Sequence, residues 1–165
     1  MSAYCKFGST IKGESLAEGH KGTDGWFEVN SVQWGCGRGI STPVGGSSKR
    51  EASAPSISEV TITKRMDSVS PKLVLEALAG TGEDVTIELV ETAGKTLETF
   101  LTVTMTNTMV SGYSMSSAGD RPSESFTFNF TKIKLEYKGY DDKHKIDSNK
   151  AGKVEYDLAA AKEMT

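Results

Sequence analysis

Hydrophobic and polar residues alternate over two long stretches of the chain, Leu97 to Met109 and Phe126 to Tyr137, which face each other across a Gly119-Asp120-Arg121-Pro122 turn. Successive side chains of a strand point to opposite sides, so such alternation predicts strands with one buried face. In the first stretch Leu97, Leu101, Val103, Met105 and Met109 fall on the apolar face, and Glu98, Thr102, Thr104, Thr106 and Thr108 on the polar one. Thr99, Phe100 and Asn107 break the pattern. In the second stretch Phe126, Phe128 and Phe130 hold even positions and Ile133, Leu135 and Tyr137 odd ones, so the apolar phase flips near Thr131 and Lys132. A slip of one residue sends every side chain to the opposite face. A β-bulge or sharp bend there lets one strand serve two parts of a curved sheet, as barrels and orthogonal sandwiches require.

Shorter β-branched and aromatic runs bounded by Gly, Ser, Pro and Asp predict strands at Tyr4 to Phe7, Phe27 to Trp34, Ile57 to Lys64, Val85 to Val90 and near Lys153 to Leu158. One helix interrupts them. Ser70 suits an N-cap, Pro71 the first helical position and Gly80 a left-handed C-terminal residue, which predicts a helix over Lys72 to Ala79. Leu73 with Ala77 and Val74 with Leu78 give it a face to bury, so Leu78→Asp is expected to unfold or aggregate the protein. Residues 36–56 have a different texture, with four Gly, five Ser and two Pro among 21 residues. A loop of that length is either a disordered surface excursion or an interaction arm. The charged segment from Lys138 to Lys150 reads as a second, solvated loop. Together these elements predict an all-β fold with one short helix. They leave open a small β-barrel or an orthogonal sandwich of two curved, mainly antiparallel sheets, in a single domain spanning residues 1–165, with an extended loop at about 36–56.

Charge narrows the range of partners. The 22 acidic and 19 basic residues leave a formal charge of −3, and the basic ones are scattered, which offers no stripe for phosphates. Nucleic acid is therefore not an expected partner. No run approaches the roughly 18 apolar residues of a membrane span, and Met1 to Thr10 lacks a signal-peptide core, so no membrane insertion is expected. Two cysteines, Cys5 and Cys36, are too few for a disulfide framework or a metal cage and read as buried reduced thiols.

Catalytic chemistry is not legible. Gly35-Cys36-Gly37-Arg38-Gly39 lacks the helix and the Gly-Lys-Ser/Thr element of a phosphate loop. His20 and His144 lie in no metal-spacing motif, and the serines lack a Gly-x-Ser-x-Gly context. No nucleophile, base and orienting group can be named together, so neither an enzyme nor a cofactor is expected. An assembly subunit or a binding module fits a β domain of this kind.

Several motifs, in order, carry a resemblance. Gly13-Glu14-Ser15 is followed by His20-Lys21-Gly22, by a strand ending in Trp34-Gly35, and by Thr63-Lys64, Met66-Asp67 and Ser70-Pro71 before the helix. Asp120-Arg121-Pro122-Ser123-Glu124 then precedes the Phe-x-Phe-x-Phe strand. Over nearly its whole length the chain resembles the hemolysin-coregulated protein (Hcp) family, the tube subunits of type VI secretion systems. The resemblance implies a small barrel with one flanking helix, hexameric rings, and rings stacked into a tube that a contractile sheath drives out of the bacterium. It implies sheath and spike proteins and small effectors as partners, and passage from the bacterial cytoplasm to the outside without a signal peptide. Residues 37–54 correspond to the family's extended loop, which nominates Arg38, Lys49 and Arg50 for contacts between rings. Glu14, Ser15, His20, Lys21, Trp34, Asp120, Arg121 and Pro122 fall on family motifs with structural roles, and for His20 a hydrogen-bonding one. The Val32-Gln33-Trp34-Gly35 stretch is similar to the family's Trp-Ser-Trp-Gly at the lumen, with the larger Gln33 where the family has a small residue. Gln33 is thus the candidate cargo position. With the chain ending soon after its last strand, the C-terminal toxin domain that some relatives carry is not expected. The alternative from a different class is a monomeric, lipocalin-like barrel whose apolar hairpin face lines a ligand cavity.

Overall fold

The apolar positions read from the sequence meet as cross-strand rows. The structure, a computed structural model, describes residues 1–42, 50–143 and 145–163. Strand β1 (Ser2–Phe7) leads into β2 (Trp26–Val29) and β3 (Ser31–Gln33). Four two-residue strands follow, β4 (Cys36–Gly37), β5 (Ile40–Ser41), β6 (Glu51–Ala52) and β7 (Ser56–Ile57), and then β8 (Val60–Arg65). Helix α1 (Ser70–Ala79) precedes β9 (Glu83–Ala93), β10 (Thr96–Ser116), β11 (Ser123–Asn129), β12 (Lys132–Tyr140), β13 (Ile146–Asp157) and β14 (Lys162–Glu163).

All pairings are antiparallel, and they form two sheets that share the 21-residue strand β10. Its first half pairs with β9 and β12, and its second half with β11. The first sheet runs β2-β1-β9-β10-β12-β13-β14, and the second runs β10-β11-β8-β3. Only Asn30 separates β2 from β3, and its N–H donates to the Thr63 carbonyl at 2.7 Å. The ladder therefore returns on itself through β2 and β3, which gives the small barrel expected from the sequence. One inner row of the first sheet is Phe27-Cys5-Ile87-Val103-Leu135, and the next includes Phe7, Val85, Met105 and Ile133. Val60, Ile62, Phe126 and Phe128 line the inside of the second sheet, all of them fully buried.

The phase flip at Thr131 and Lys132 is not a bulge within one strand. It is the gap between β11 and β12, where the Thr131 N–H donates to the Thr106 carbonyl at 3.1 Å. β10 carries a matching break at Asn107, whose φ of 50° lies in the left-handed region that Asn tolerates better than most residues. The break inverts the faces beyond it. Thr108 is fully buried, and Met109, expected inside, is 47% exposed.

The helix departs from expectation in three details. Val69, without a side-chain bond, takes the N-cap position; Gly80 is extended at φ −68°; and Leu73 alone of the helix leucines is buried. Leu78 is 80% exposed, so burial gives no reason for Leu78→Asp to unfold the protein. Cys5 is buried as expected, and its apolar surroundings push the thiol above its ordinary range, whereas Cys36 is exposed. The segment from Lys138 to Lys150 is largely the β12–β13 hairpin rather than a loop, with His144 outside the described residues. The described part of the Gly/Ser-rich segment is a paired ribbon, β4 against β7 and β5 against β6, stitched by the Ser53 and Ser58 hydroxyls, which accept from the Gly39 and Gly35 N–H groups, each at 2.8 Å.

Candidate functional site

The motif residues gather at two places, and both are structural joints. In the segment between β1 and β2, the Gly13 N–H donates to the Gly22 carbonyl at 3.0 Å and the Gly22 N–H to the Ser15 carbonyl at 2.7 Å. The backbones approach so closely that a Cβ on Gly13 would sit 2.1 Å from the Trp26 carbonyl oxygen, and one on Gly22 would sit 2.2 Å from that of Gly13. Only glycine fits either position. The segment is held on the outer face of the first sheet by His20, whose ring stacks on Tyr4 at 4.7 Å and meets Trp26 edge-on at 4.8 Å. His20 Nε2 lies 2.7 Å from Glu88 Oε2, and the Thr99 hydroxyl donates to the same oxygen at 2.9 Å. Nδ1 is buried and unpartnered, which fits the tautomer carrying its proton on Nε2, because a bare acceptor costs less than an unmet N–H. His20 thus links the segment to Glu88 by a hydrogen bond. Lys21 is exposed, and its carbonyl accepts from the Asp24 N–H at 2.9 Å. Glu14 Oε1 accepts from the Ser68 N–H at 3.2 Å; hydrogen bonding by the Ser68 side chain, and then by its N–H, holds the Glu14 carboxyl below the usual range, with Arg121 and Lys64 adding to the effect.

The second joint is buried. Lys64, with no exposed surface, donates to Asp67 Oδ1 and the Arg65 carbonyl, both at 2.7 Å, to Ser70 Oγ at 3.0 Å and to Glu124 Oε2 at 3.2 Å. Ser70 Oγ donates to Glu124 Oε2 at 2.5 Å, and the Tyr113 hydroxyl to Glu124 Oε1 at 2.9 Å. Burial, and then that bond, hold the Tyr113 phenol above its usual range. Pro122, after Asp120 and Arg121 in the turn, accepts the Met66 N–H on its carbonyl at 2.9 Å. The network ties β8, the start of α1, β10 and β11 together, and it explains why Lys64, Asp67, Ser70 and Glu124 occur in one sequence. Lys64, Ser70 and Glu124 are buried, whereas Asp67 borders a cleft of about 410 Å³ lined also by Glu14, Met66 and Arg121; no group of three metal-ligating side chains occurs among the described residues.

The accessible feature is the outer face of the second sheet. One cross-strand row reads Ser31-Thr63-Ser125-Ser114, the next Gln33-Thr61-Thr127-Gly112, and a third Arg65-Ser123-Ser116. The Ser31 and Thr63 hydroxyls are 2.6 Å apart, and those of Thr61 and Thr127 are 3.5 Å apart. This surface bears hydroxyls and few charges, with Arg65 at one corner and, at the other end, Glu59, which accepts from the Asn129 amide at 3.1 Å. Its two edges are open, since among the described residues β3 pairs only with β8, and β10 beyond Thr108 only with β11. In the sequence only Gln33 stands out on this face. Its signal is the Ser and Thr positions that alternate with Ile62, Phe126 and Phe128. The Thr102, Thr104 and Thr106 stripe is different, because it lies on the first sheet between Thr86 and Glu88 on one side and Lys132, Lys134 and Glu136 on the other.

Trp34 is half-buried against Ile133 and Leu135 at the root of the ribbon, and Arg38 and Arg50 are exposed along it. Lys49 lies outside the described residues. The apolar face that a lipocalin-like barrel would leave open is filled, with Val103, Met105, Phe126 and Phe128 at most 1% exposed.

The fold is mostly β, with antiparallel sheets and a single helix among the described residues. Residues 4–137 match the family described as the type VI secretion system effector Hcp, and the chain belongs to that family, as a type VI secretion tube subunit. A solved structure of a type six secretion system protein shares 27% identity over 99% of both chains with a TM-score of 0.86. Hcp1 from Salmonella typhimurium, at 21% identity over 99% of this chain and 98% of its own, has the same fold at a TM-score of 0.73. So does a type VI secretion system effector from Yersinia pestis, at 23% identity, 94% and 98% coverage and a TM-score of 0.64. No curated protein sequence matches the chain.

Proposed function

We propose that the chain is a non-enzymatic ring subunit, that its rings are hexameric and stack into an exported tube, and that small effectors travel in the channel. The observation that carries this reading is the hydroxyl-lined face with two open edges on a chain of this family. An exposed strand edge offers unpaired N–H and C=O groups. Pairing the β3 edge of one copy with the β10 edge of the next is a heterologous contact, and such contacts close into a ring when the rotation closes. The ring's inner wall is then a continuous surface of Ser, Thr and Gln33. A wall almost without charge does not trap a passing protein electrostatically, and the length of Gln33 sets what fits beside it. Glu14, Ser15, His20, Lys21, Trp34, Asp120, Arg121 and Pro122 hold the subunit's shape, and sheath and spike proteins engage the assembled tube. No helix among the described residues is long and apolar enough to cross a membrane. Export runs from the bacterial cytoplasm to the outside with the tube.

Native mass spectrometry with negative-stain microscopy tests this. Closed rings with a mass of about six subunits are expected, and Gln33→Ser is expected to keep that mass while changing which effectors co-purify. A strictly monomeric protein at high concentration overturns the reading.

A further inference from the structure

Apolar side chains stand exposed beside both open edges of the second sheet. At the β3 edge they belong to the first sheet, whose inner face β3 crosses. Val32 shares a cleft of about 410 Å³ with Ala3, Val29 and Leu89, and Trp34 shares a hollow of about 150 Å³ with Ile133, Leu135 and Val154. The inner row Cys5-Ile87-Val103 is at most 1% exposed. In the next row, Ala3-Leu89-Leu101-Tyr137, the first three residues are only half-buried and Tyr137 is 48% exposed. Two packed sheets bury their facing sides against each other. Here the upper layer stops one strand short of the lower one.

The β10 edge carries the complement. Beyond Thr108 its inward side chains include Tyr113 and Met115, 37% and 54% exposed, although their neighbours across the ladder, Phe126 and Glu124, are at most 1% exposed. Helix α1 lies against β10, and its Ser70 shares Glu124 with Tyr113. Leu75 and Leu78, 61% and 80% exposed, lie on the opposite side of that helix from the buried Leu73. Within one chain these leucines have nothing to pack on, and clustered exposed apolar residues mark contact surfaces.

Continuity decides the occupant. A β10 strand added at the β3 edge continues the second sheet by one strand, and its inward side chains then stand over the uncovered Ala3-Leu89-Leu101-Tyr137 row. The chain's own β10 cannot supply that strand, because β11 and β8 separate it from β3. A second copy can. Neither strip contains a charged residue, so closing one on the other buries no charge.

We propose that a second copy of the chain covers this row with Tyr113 and Met115 of its β10 and Leu75 and Leu78 of its α1. Neighbouring subunits then join through two layers, a shared sheet and an apolar seam against the first sheet. The proposal rests on the ring reading and adds to it a set of side chains that edge pairing by itself does not require.

Substitutions on the two strips test it. Leu78→Asp and, separately, Tyr137→Asp are each expected to raise the protein concentration needed for rings by at least about tenfold, read by native mass spectrometry and sedimentation. Below the ring-forming concentration each is expected to keep the circular dichroism spectrum of the natural sequence, since both side chains are exposed in the single chain. Leu78→Cys with Tyr137→Cys, in a Cys36→Ser background, measures proximity without adding charge, and Cys5 is buried. A bismaleimide is expected to link this paired variant into a ladder that ends at the closed ring, and to leave each single variant unlinked. Should an aspartate variant fail to fold, the ladder decides. Rings that form unchanged in either aspartate variant, or rings of the paired variant that give no ladder, overturn the proposal. A natural sequence that stays monomeric at high concentration overturns the ring reading itself, and its native mass keeps the two failures distinct.

Discussion

Lys64 shows how much a single side chain is asked to do. Its ammonium sits where no water reaches and is matched by Asp67, Ser70, Glu124 and the Arg65 carbonyl. Such a network contributes specificity more than net stability, because desolvating the charges offsets much of their attraction, but breaking it strands a buried charge. Glu124→Ala is therefore expected to cost about 3–5 kcal/mol in urea denaturation at fixed protein concentration. The Lys64→Met/Glu124→Met double variant is expected to be less destabilised than that single change, and the reverse order would show that the pair is not coupled. His20 has a smaller task of the same kind. Its ring fills the space between Tyr4 and Trp26 and links the segment after β1 to Glu88 and Thr99.

Helix α1 and strand β10 are each shaped by what they pack against. Helix α1 presents Leu73 to the barrel and leaves Leu75 and Leu78 at 61% and 80% exposure. Leu73→Ala is expected to lose about 2–5 kcal/mol to the missing contacts and the cavity left behind. Leu78→Asp is expected to stay within about 0.5 kcal/mol of the natural sequence, as surface changes generally do, and a chemical denaturation curve for each separates the two. Four-residue spacing identified a helix but could not say which of its leucines meets the sheet. Strand β10 presents the same problem. Its alternation up to Met105 was legible, and beyond Asn107 it inverts, because the left-handed residue adds a half-step to the face pattern that periodicity alone cannot register. The break between β11 and β12 was legible as a phase flip, although its nature as a gap was not.

At the scale of the whole molecule, two carboxylates hold remote pieces of chain and make stability depend on acid. Glu14 joins the segment after β1 to the turn before α1, and Asp157 accepts the Ala160 N–H at 2.9 Å and lies 3.4 Å from Lys132. Both are held below their ordinary range in the folded protein, Glu14 chiefly by its bond from Ser68 and Asp157 chiefly by the Ala160 N–H. A lowered folded value means that on acidification the unfolded chain takes up protons first. The contribution is complete above the ordinary carboxylate range and is lost as pH falls through it toward the lowered folded values. The melting temperature is thus expected to fall between about pH 5 and pH 3, and the Glu14→Gln/Asp157→Asn double variant to show a shallower fall. Equal slopes would assign the acid sensitivity to other groups.

Sequence alone determined the strands, the helix and the bounds of the Gly/Ser-rich segment. Strand periodicity and backbone sterics are local properties, written residue by residue. Tertiary structure decided which face is which. Ser31, Gln33, Thr61, Thr63, Ser125 and Thr127 come from three strands distant in sequence, and they form one nearly uncharged surface only once β3, β8 and β11 pair. The Thr stripe of β10 looks equally neutral in sequence, but pairing places it among Glu88, Lys132, Lys134 and Glu136. Surface chemistry depends on neighbours across strands, and register, which sets those neighbours, is decided by the packing of the whole core.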